Sequence, residues 1–394
     1  MPIALLALTI CSFAIGTAEF VIVGLIPIVA NDLVVSLPSA GLLVSLYAMG
    51  VAIGAPLLTA VTGKVHRKVL LIALMALFTA SNIMAWASPS FETLIAARIL
   101  TGLAHGVFYS IATIIAAGLV PKEKAASAIA IMFTGLTVAL VTGVPIGTLI
   151  GQSFGWRSTF IVVASLGAVA ILGTLIFVPH NIPASKPPKL RQIANVLTHP
   201  RLMLAYTITA IGYGGSFVAF TYLAPILEEV TGFSATVVSG VLLLYGVSVA
   251  IGNLYGGKLV DRYGAIPALR YIFLALSIVL VALAFTASSK WLMLITVLIW
   301  GAVAFGNVPG LQFYAVTQAE RYVPSAVNVA SGLNIAAFNL GIAGGASIGG
   351  MIVARGSLIY TPLIAAIFVF FAFVLTTWAG FLDRRKQAVH LAKC

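Results

Sequence analysis

One carboxylate lies deep inside an apolar stretch of the chain. Glu19 occurs in the segment GTAEFVIVG, whereas the other Asp and Glu residues fall at the ends of apolar stretches, in loops or near the C-terminus. A charge in such surroundings costs at least about 2.5–3.5 kcal/mol, so it is rarely kept without a use or a partner. Burial disfavours its charged form and a nearby cation favours it, so the group can carry a proton near neutral pH. The alternative is a carboxylate held in a structural ion pair.

A second apolar stretch supplies candidate partners for this acid. Arg98, Gly102, His105 and Tyr109 are spaced by 4, 3 and 4 residues, which places them on one face of a helix. Depth can be counted at about 1.5 Å per residue from the membrane surface at which span 1 ends and span 4 begins. On this count the depth of Glu19 lies between those of Arg98 and His105. We predict that Glu19, Arg98 and His105 couple proton binding to function, and leave open whether Glu19 contacts either residue. For His105, an ordinary buried and hydrogen-bonded histidine is an equally good interpretation.

The elements that position these residues are long apolar helices. The chain has 394 residues, of which 61% are hydrophobic and 8% charged, too few charges for a water-facing surface. About 20 apolar residues suffice for a helix to cross the hydrocarbon. On that criterion spans 1 to 12 cover approximately residues 3–30, 39–61, 69–87, 92–118, 125–152, 157–178, 201–229, 234–257, 266–287, 292–319, 326–354 and 358–381. We predict an all-α membrane protein with twelve transmembrane helices.

The two halves of the chain repeat each other. The segment YAMGVAIG begins at Tyr47 and YGVSVAIG begins at Tyr245, an offset of 198 residues. The same offset relates Pro27 to Pro225, Gly143 to Gly341, Gly147 to Gly345 and Gly151 to Gly349. We predict two pseudo-symmetric six-helix bundles, residues 1–178 and 201–381, joined by a linker at 179–200 and followed by a tail at 382–394. Such halves typically rock about a central site.

The basic residues predict the orientation. Seventeen of the 21 Lys and Arg residues fall in the linker, the C-terminal tail or the loops on the side of both termini; three fall on the opposite side, and Arg98 lies within a span. This distribution predicts that both termini are cytoplasmic. The net charge of +12 is spread over short loops without a basic and aromatic stripe, so we do not expect nucleic-acid binding.

Polar and aromatic side chains of the spans predict a substrate-binding cavity. A cavity with one carboxylate and apolar walls suits a small, uncharged or weakly amphipathic solute. At the position 198 residues after Glu19 stands Phe217, so the second half lacks the acid. Ordinary helix packing is the alternative for these side chains. The predicted substrate-binding residues are Tyr109, Tyr213, Phe217, Asn307, Asn334 and Phe338.

The segment GGKLVDRYG after span 8 resembles the G-x-L-x-D-R-x-G signature of the major facilitator superfamily. The matching residues include Gly257, Asp261, Arg262 and Gly264. We interpret the segment as a loop in which Asp261 caps the next helix or pairs with an arginine, latching the cytoplasmic side. The equivalent loop after span 2 has Gly63 where the family has an acid.

Two further elements carry the same resemblance. Arg98 and Gly102 resemble the R-x-x-x-G element of span 4, and the first span carries an acid in "AEF". Span 5 resembles the glycine- and proline-rich element of antiporters through Gly135, Gly143, Pro145, Gly147 and Gly151. The resemblance is greatest to the twelve-helix drug:proton antiporters, among them sugar-efflux and chloramphenicol-efflux proteins. It implies the major facilitator fold and antiport.

These patterns favour a proton-coupled antiporter that exports a small drug-like or sugar-like compound. Proton-coupled uptake of a sugar or another metabolite is the alternative, and a non-transporting receptor or scaffold is a more distant one. One Glu, one His and one Arg within the spans are too few for an enzyme, and the chain has no GxxxxGK[ST] motif of a transport ATPase. We expect a monomer in a bacterial-type inner membrane, with protons and a small molecule as ligands and without catalytic residues, cofactor or metal.

Overall fold

The computed structural model describes residues 3–62, 65–121, 125–180 and 190–391. Within these ranges twelve helical stretches are long and apolar enough to cross a membrane, which confirms the predicted all-α fold. Spans 1 to 6 are Ile3–Asp32, Leu37–Val61, Arg67–Trp86, Phe91–Gly118, Ala125–Phe154 and Trp156–Phe177. Spans 7 to 12 are Pro200–Val230, Ala235–Tyr263, Ala265–Thr286, Lys290–Tyr322, Val327–Val353 and Thr361–Leu391.

Prolines lie at interruptions of spans 5, 7 and 10; in span 7 the helix breaks at Thr221 and Tyr222, before Pro225. Span 5 contains a π-helical turn at Ala139–Gly143, which ends two residues before Pro145. Proline cannot donate to the carbonyl four residues back and its ring crowds that carbonyl, so a wider turn relieves both problems. Span 10 is divided into Lys290–Ala304 and Asn307–Tyr322. In a continuous helix the ring of Pro309 would crowd the carbonyl of Phe305. The first helix ends at Ala304 instead, and the second begins at Asn307.

Spans 2 and 4 approach each other as closely as spans 8 and 10 do. Gly54 lies against the backbone of Leu103, and Gly252, 198 residues later, lies against the backbone of Ala302; Gly102 meets the carbonyl of Tyr47, and Gly301 meets the carbonyl of Tyr245 and the hydroxyl of Ser248. Small residues allow backbones in a membrane to pack at such short range. The same contact therefore recurs in both halves, which supports the repeat predicted from the sequence.

A second repeated contact involves the glycines of spans 5 and 11. Gly143 packs on Thr17 of span 1, while Gly341, 198 residues later, packs on the backbone of Ala210 in span 7. The other glycines of the span 5 element continue this seam along span 1: Gly135 packs on Thr9 and Phe13, Gly147 on Val21 and Gly151 on Leu25. In this structure the glycine element therefore packs span 5 on span 1.

The two halves are joined by hydrogen bonds at one end of the bundle. We call this end the far side, and the other end, where span 1 begins and span 12 ends, the terminal side. Gln152 donates to the carbonyl of Ala235 at 2.8 Å and accepts from the hydroxyl of Ser239 at 2.9 Å. The hydroxyls of Ser45 and Ser347 lie 3.1 Å apart. In the described ranges, all hydrogen bonds between the bundles lie toward the far side.

The predicted linker and tail both include helical structure. A short helix, Leu190–Thr198, lies within the linker, and its Gln192 donates to the carbonyl of Ser325 at 3.1 Å. Residues 181–189 lie outside the described ranges. The helix of span 12 continues to Leu391, so it includes most of the predicted tail.

Two glycines of span 8 provide a test of the close packing. A Cβ at Gly252 would meet the backbone of Ala302, whereas one at Gly240 would have no atom within 4 Å. We expect Gly252→Ala to lower the free energy of unfolding by about 1–3 kcal/mol, because overpacking forces the backbones apart. The control Gly240→Ala should be neutral or stabilising by up to about 1 kcal/mol. Unfolding of the detergent-solubilised variants measures both, and equal effects would contradict the packing.

Candidate functional site

Glu19 lies midway along span 1, where the two halves meet. Its side chain lines a small internal cavity together with Tyr47 of span 2 and Phe217 of span 7, and the residue is 9% exposed. Among the described residues no hydrogen bond or ion pair reaches the carboxylate. The acid predicted to couple protons thus faces residues of both bundles without a fixed partner.

The guanidinium of Arg98 binds backbone oxygens of the two neighbouring spans. It donates to the carbonyls of Ala18 at 2.6 Å, Leu43 at 3.2 Å and Glu19 at 3.4 Å, and it lies 4.1 Å from the centre of the Tyr47 ring. Arg98 is 1% exposed, so these contacts replace its hydration. Arg98 therefore reaches Glu19 at its backbone, and it ties spans 1, 2 and 4 together.

His105 continues this polar group along span 4. Its Nδ1 lies 2.9 Å from the hydroxyl of Tyr47, and which atom donates depends on the histidine tautomer. Tyr109 packs edge-on against His105, stacks on Phe133 with ring centres 5.0 Å apart, and shares a 2.7 Å hydrogen bond with Ser12. Tyr109 was predicted to bind substrate; the structure places it among spans 1, 4 and 5, outside the lining of the central cavity.

Aromatic rings form the opposite wall of the site. Tyr213 packs against Phe217, Phe305 and Phe338 at ring-centre distances of 5.2, 5.5 and 4.9 Å. Phe20, the neighbour of Glu19, lies 6.5 Å from Phe217 and 6.2 Å from Phe305. The predicted residues Tyr213, Phe217 and Phe338 therefore share one aromatic cluster, and of the three Phe217 lines the cavity beside the acid while Tyr213 and Phe338 lie outside its lining.

The two predicted amides have different surroundings. Asn334 accepts from the hydroxyl of Thr209 and donates to Gln312, each at 2.8 Å, so it joins spans 7, 10 and 11. Asn307 begins the second helix of span 10; it is 0% exposed, and neither atom of its amide has a partner among the described residues. A buried amide without a partner costs about 1–3 kcal/mol. Asn307 is thus the amide with unused capacity to bind a ligand.

Comparison with known proteins decides the family. The sequence profile of the Major Facilitator Superfamily matches residues 8–323. The chain belongs to the major facilitator superfamily. This confirms the resemblance to the superfamily that the span 4 and span 8 elements carry.

Relatives of similar length support the same membership. The MFS-type transporter YtbD of Bacillus subtilis (strain 168) is 52% identical over 384 residues, covering 98% of this chain and 97% of YtbD. The inner membrane transport protein YdhP of Escherichia coli (strain K12) is 39% identical, covering 97% and 96% of the two chains. A solved bacterial homologue of the human lysosomal transporter Spinster has the same fold, with a TM-score of 0.74, 17% identity and coverage of 95% and 96%.

The superfamily signature after span 8 is not a loop in this structure. The helix of span 8 runs through Tyr263, and the chain turns at Gly264, whose φ of 82° favours glycine. Asp261 therefore sits in the last helical turn; no side chain caps the next helix, and no ion pair forms at Asp261 among the described residues. Gly257 has open space around it, and Arg262 lies over the ring of Tyr263 at 5.3 Å. The signature therefore continues the helix of span 8 instead of forming the expected loop, because no proline or turn residue ends the helix before Gly264.

The structure adds residues that the sequence did not single out for the site. Tyr47 served only as a marker of the repeat, yet it contacts both Arg98 and His105. Because a tyrosine hydroxyl in the middle of a span needs a hydrogen-bond partner, the position of Tyr47 could have indicated a polar contact. Phe20 and Phe305 carried no signal of their own, since phenylalanines are common throughout the spans.

Replacing Arg98 tests its role in holding the spans. We expect Arg98→Lys to lower the free energy of unfolding by about 2–4 kcal/mol, because a lysine cannot reach three carbonyls at once. The matched control is Arg157→Lys, since Arg157 pairs with Asp32 at 2.6 Å but is 36% exposed; its loss should stay below about 1 kcal/mol. Chemical unfolding in detergent measures both, and similar losses would contradict the assignment.

Proposed function

We propose that the chain is a proton-coupled secondary active transporter, an antiporter that exports a small organic compound. The observation that carries the proposal is the position of Glu19. In the described ranges it is the one Asp or Glu that lies midway along a span, and its carboxylate lines a cavity shared by the two halves. An ionisable group at such a depth is a functional candidate on physical grounds alone.

The contacts of Arg98 favour a carboxylate that can change its protonation state. A carboxylate bound directly to a guanidinium stays charged, because protonating it would leave the guanidinium as an unpaired charge in a medium of low dielectric constant. Here the guanidinium donates to backbone carbonyls of Ala18, Glu19 and Leu43 instead. Glu19 is therefore free to bind a proton when its surroundings are apolar and to release it when water enters.

Movement of the halves provides the coupling. Glu19 and Tyr47 belong to the first half, and Phe217 belongs to the second. When the halves rock, the environment of the carboxylate changes, and so does the free energy of its charged form. A proton taken up from the periplasm and released to the cytoplasm then drives a substrate outward.

The walls of the site favour a weakly polar substrate. Phe20 from the first half and Phe217 from the second line the cavity with the carboxylate, and Tyr213 and Phe338 pack in the same aromatic cluster behind Phe217. Asn307 offers one amide without a partner in the described structure. Apolar walls with a few polar groups are typical of sites for small organic molecules.

The basic residues support a cytoplasmic location for both termini, so the far side would face the periplasm of a bacterial inner membrane. The hydrogen bonds of Gln152, Ser239 and Ser347 would then close the periplasmic side. The name of the relative YdhP, an inner membrane transport protein, supports this membrane.

The direction of proton movement tests antiport. Purified protein in liposomes, with a pH-sensitive dye in the lumen, is supplied externally with a panel of drugs, sugars and nucleosides. In antiport an entering compound expels protons, so the lumen becomes alkaline. Acidification of the lumen would instead show proton-coupled uptake, and no response to any compound would count against transport of these classes.

The carboxylate is tested by Glu19→Gln, which mimics the protonated form. We expect this variant to stay folded and to lose the response to a compound that is active with the original protein. Substrate-induced proton release from the detergent-solubilised protein should also disappear. The matched control is Glu92→Gln, which alters an exposed acid in the first turn of span 4 and should release protons normally. Unchanged release in Glu19→Gln would leave His105, or no protein group, as the carrier.

The signature of span 8 yields a separate prediction. We propose that Asp261 pairs with an arginine or a helix N-terminus when the terminal side closes. Asp261→Asn should then slow transport in the liposome assay and leave substrate binding nearly intact, because the residue lies far from the central cavity. Glu320→Gln, another exposed acid near the terminal side, is the control. Lost binding with normal turnover would contradict the latch.

A further inference from the structure

We propose that a cavity between spans 9, 10 and 12 binds the phosphate headgroup of an anionic phospholipid. The cavity lies at the terminal side of the second half and has a volume of about 620 Å³. Three arginines line it: Arg270 from the first turns of span 9, Arg321 from the last turn of span 10, and Arg384 from span 12. None of these residues contributes to the site around Glu19.

The positive charge of the cavity is not neutralised by the protein. Among the described residues, no ion pair or side-chain hydrogen bond forms at any of the three guanidinium groups. The one acid in the lining, Asp383, faces Arg201 at 3.4 Å and accepts from Tyr314 and Gln318 at 3.3 Å each. Its charge is therefore taken up by a fourth arginine outside the lining, so it does not neutralise the other three.

The apolar part of the lining favours a lipid over a free anion. Tyr263, Phe313 and Phe381 line the cavity and are 50%, 54% and 61% exposed. Large apolar side chains that are exposed at the surface of a membrane-spanning bundle contact acyl chains. Basic residues above apolar walls at the end of transmembrane helices match a lipid, whose phosphate and chains are covalently joined.

The site lies at the depth of the headgroups. Arg321 precedes the end of span 10 by one residue, and Arg270 follows the start of span 9 by five, so both are near the membrane surface. Long arginine side chains at such positions direct their charge toward the headgroup layer. This geometry depends on the membrane-spanning fold alone, so it does not rely on proton coupling or antiport.

Native mass spectrometry of the purified full chain tests the proposal. The protein is titrated with phosphatidylglycerol, with phosphatidylcholine and with inorganic phosphate. We expect phosphatidylglycerol to bind preferentially. The variant Arg270→Gln/Arg321→Gln should weaken its binding about 25-fold, since each basic residue near the surface contributes about fivefold. Arg270→Lys/Arg321→Lys keeps the charge and should retain most of the preference.

The matched control is Arg191→Gln/Lys258→Gln, which removes two exposed or partly exposed charges of the terminal side outside the cavity. It should bind phosphatidylglycerol as the original protein does. The proposal is overturned if the two double glutamine variants weaken binding equally, or if phosphatidylcholine binds equally well. It is also overturned if millimolar inorganic phosphate displaces the lipid, because the site would then recognise a free anion.

Discussion

A guanidinium buried in a membrane must find oxygen atoms within the protein, because hydrocarbon supplies none. Arg98 meets this requirement on the backbones of spans 1 and 2. These bonds fix how span 1 is rotated, since the carbonyls of Ala18 and Glu19 must face span 4. With span 1 rotated in this way, the side chain of Glu19 lines the central cavity. Phe217 of the other half lines the same cavity. The availability of the carboxylate for protons thus depends on where the arginine donates.

The halves share backbone contacts but differ in chemistry. The approach of Gly54 to the backbone of Leu103 recurs between Gly252 and Ala302, so the requirement for small residues is the same in both bundles. The ionisable residues do not recur: at the offset of 198, Phe217 stands in place of Glu19, and neither Arg98 nor His105 has a basic counterpart. The first half therefore supplies the ionisable residues, and the second supplies most of the aromatic rings that Phe20 of the first half joins. A site of this kind exists only where the halves meet, so relative movement of the halves must alter it.

The sequence predicted the spans, the repeat and the mid-span acid, because each depends on hydrophobic length or spacing along one helix. It did not predict which atoms meet across helices. Depth placed Glu19 between Arg98 and His105, yet helix rotation decided that Arg98 binds carbonyls and that His105 binds Tyr47. The same limit applies to the amides: the spacing of Asn307 and Asn334 did not reveal that Gln312 satisfies only the second. The loop assigned to the span 8 signature was wrong because nothing before Gly264 ends the helix.

Spans of the two halves pack on each other, as Gly246 does on the backbone of Leu140, but within the described residues the hydrogen bonds that join the halves at the far side are few and uncharged. Gln152 bonds to Ala235 and Ser239, and Ser45 meets Ser347; a hydrogen bond of this kind contributes about 0.5–1.5 kcal/mol. Their sum is a few kcal/mol, and reversing a two-state equilibrium from 1:99 to 99:1 needs about 5.5 kcal/mol. Protonation of one buried carboxylate removes a charge whose placement in the membrane costs at least about 2.5–3.5 kcal/mol, which is of the same order. Under the proposed coupling, protonation of this one acid would therefore be large enough to shift the equilibrium between the two closed forms, whereas strong ion pairs between the halves would add a larger free energy for it to overcome.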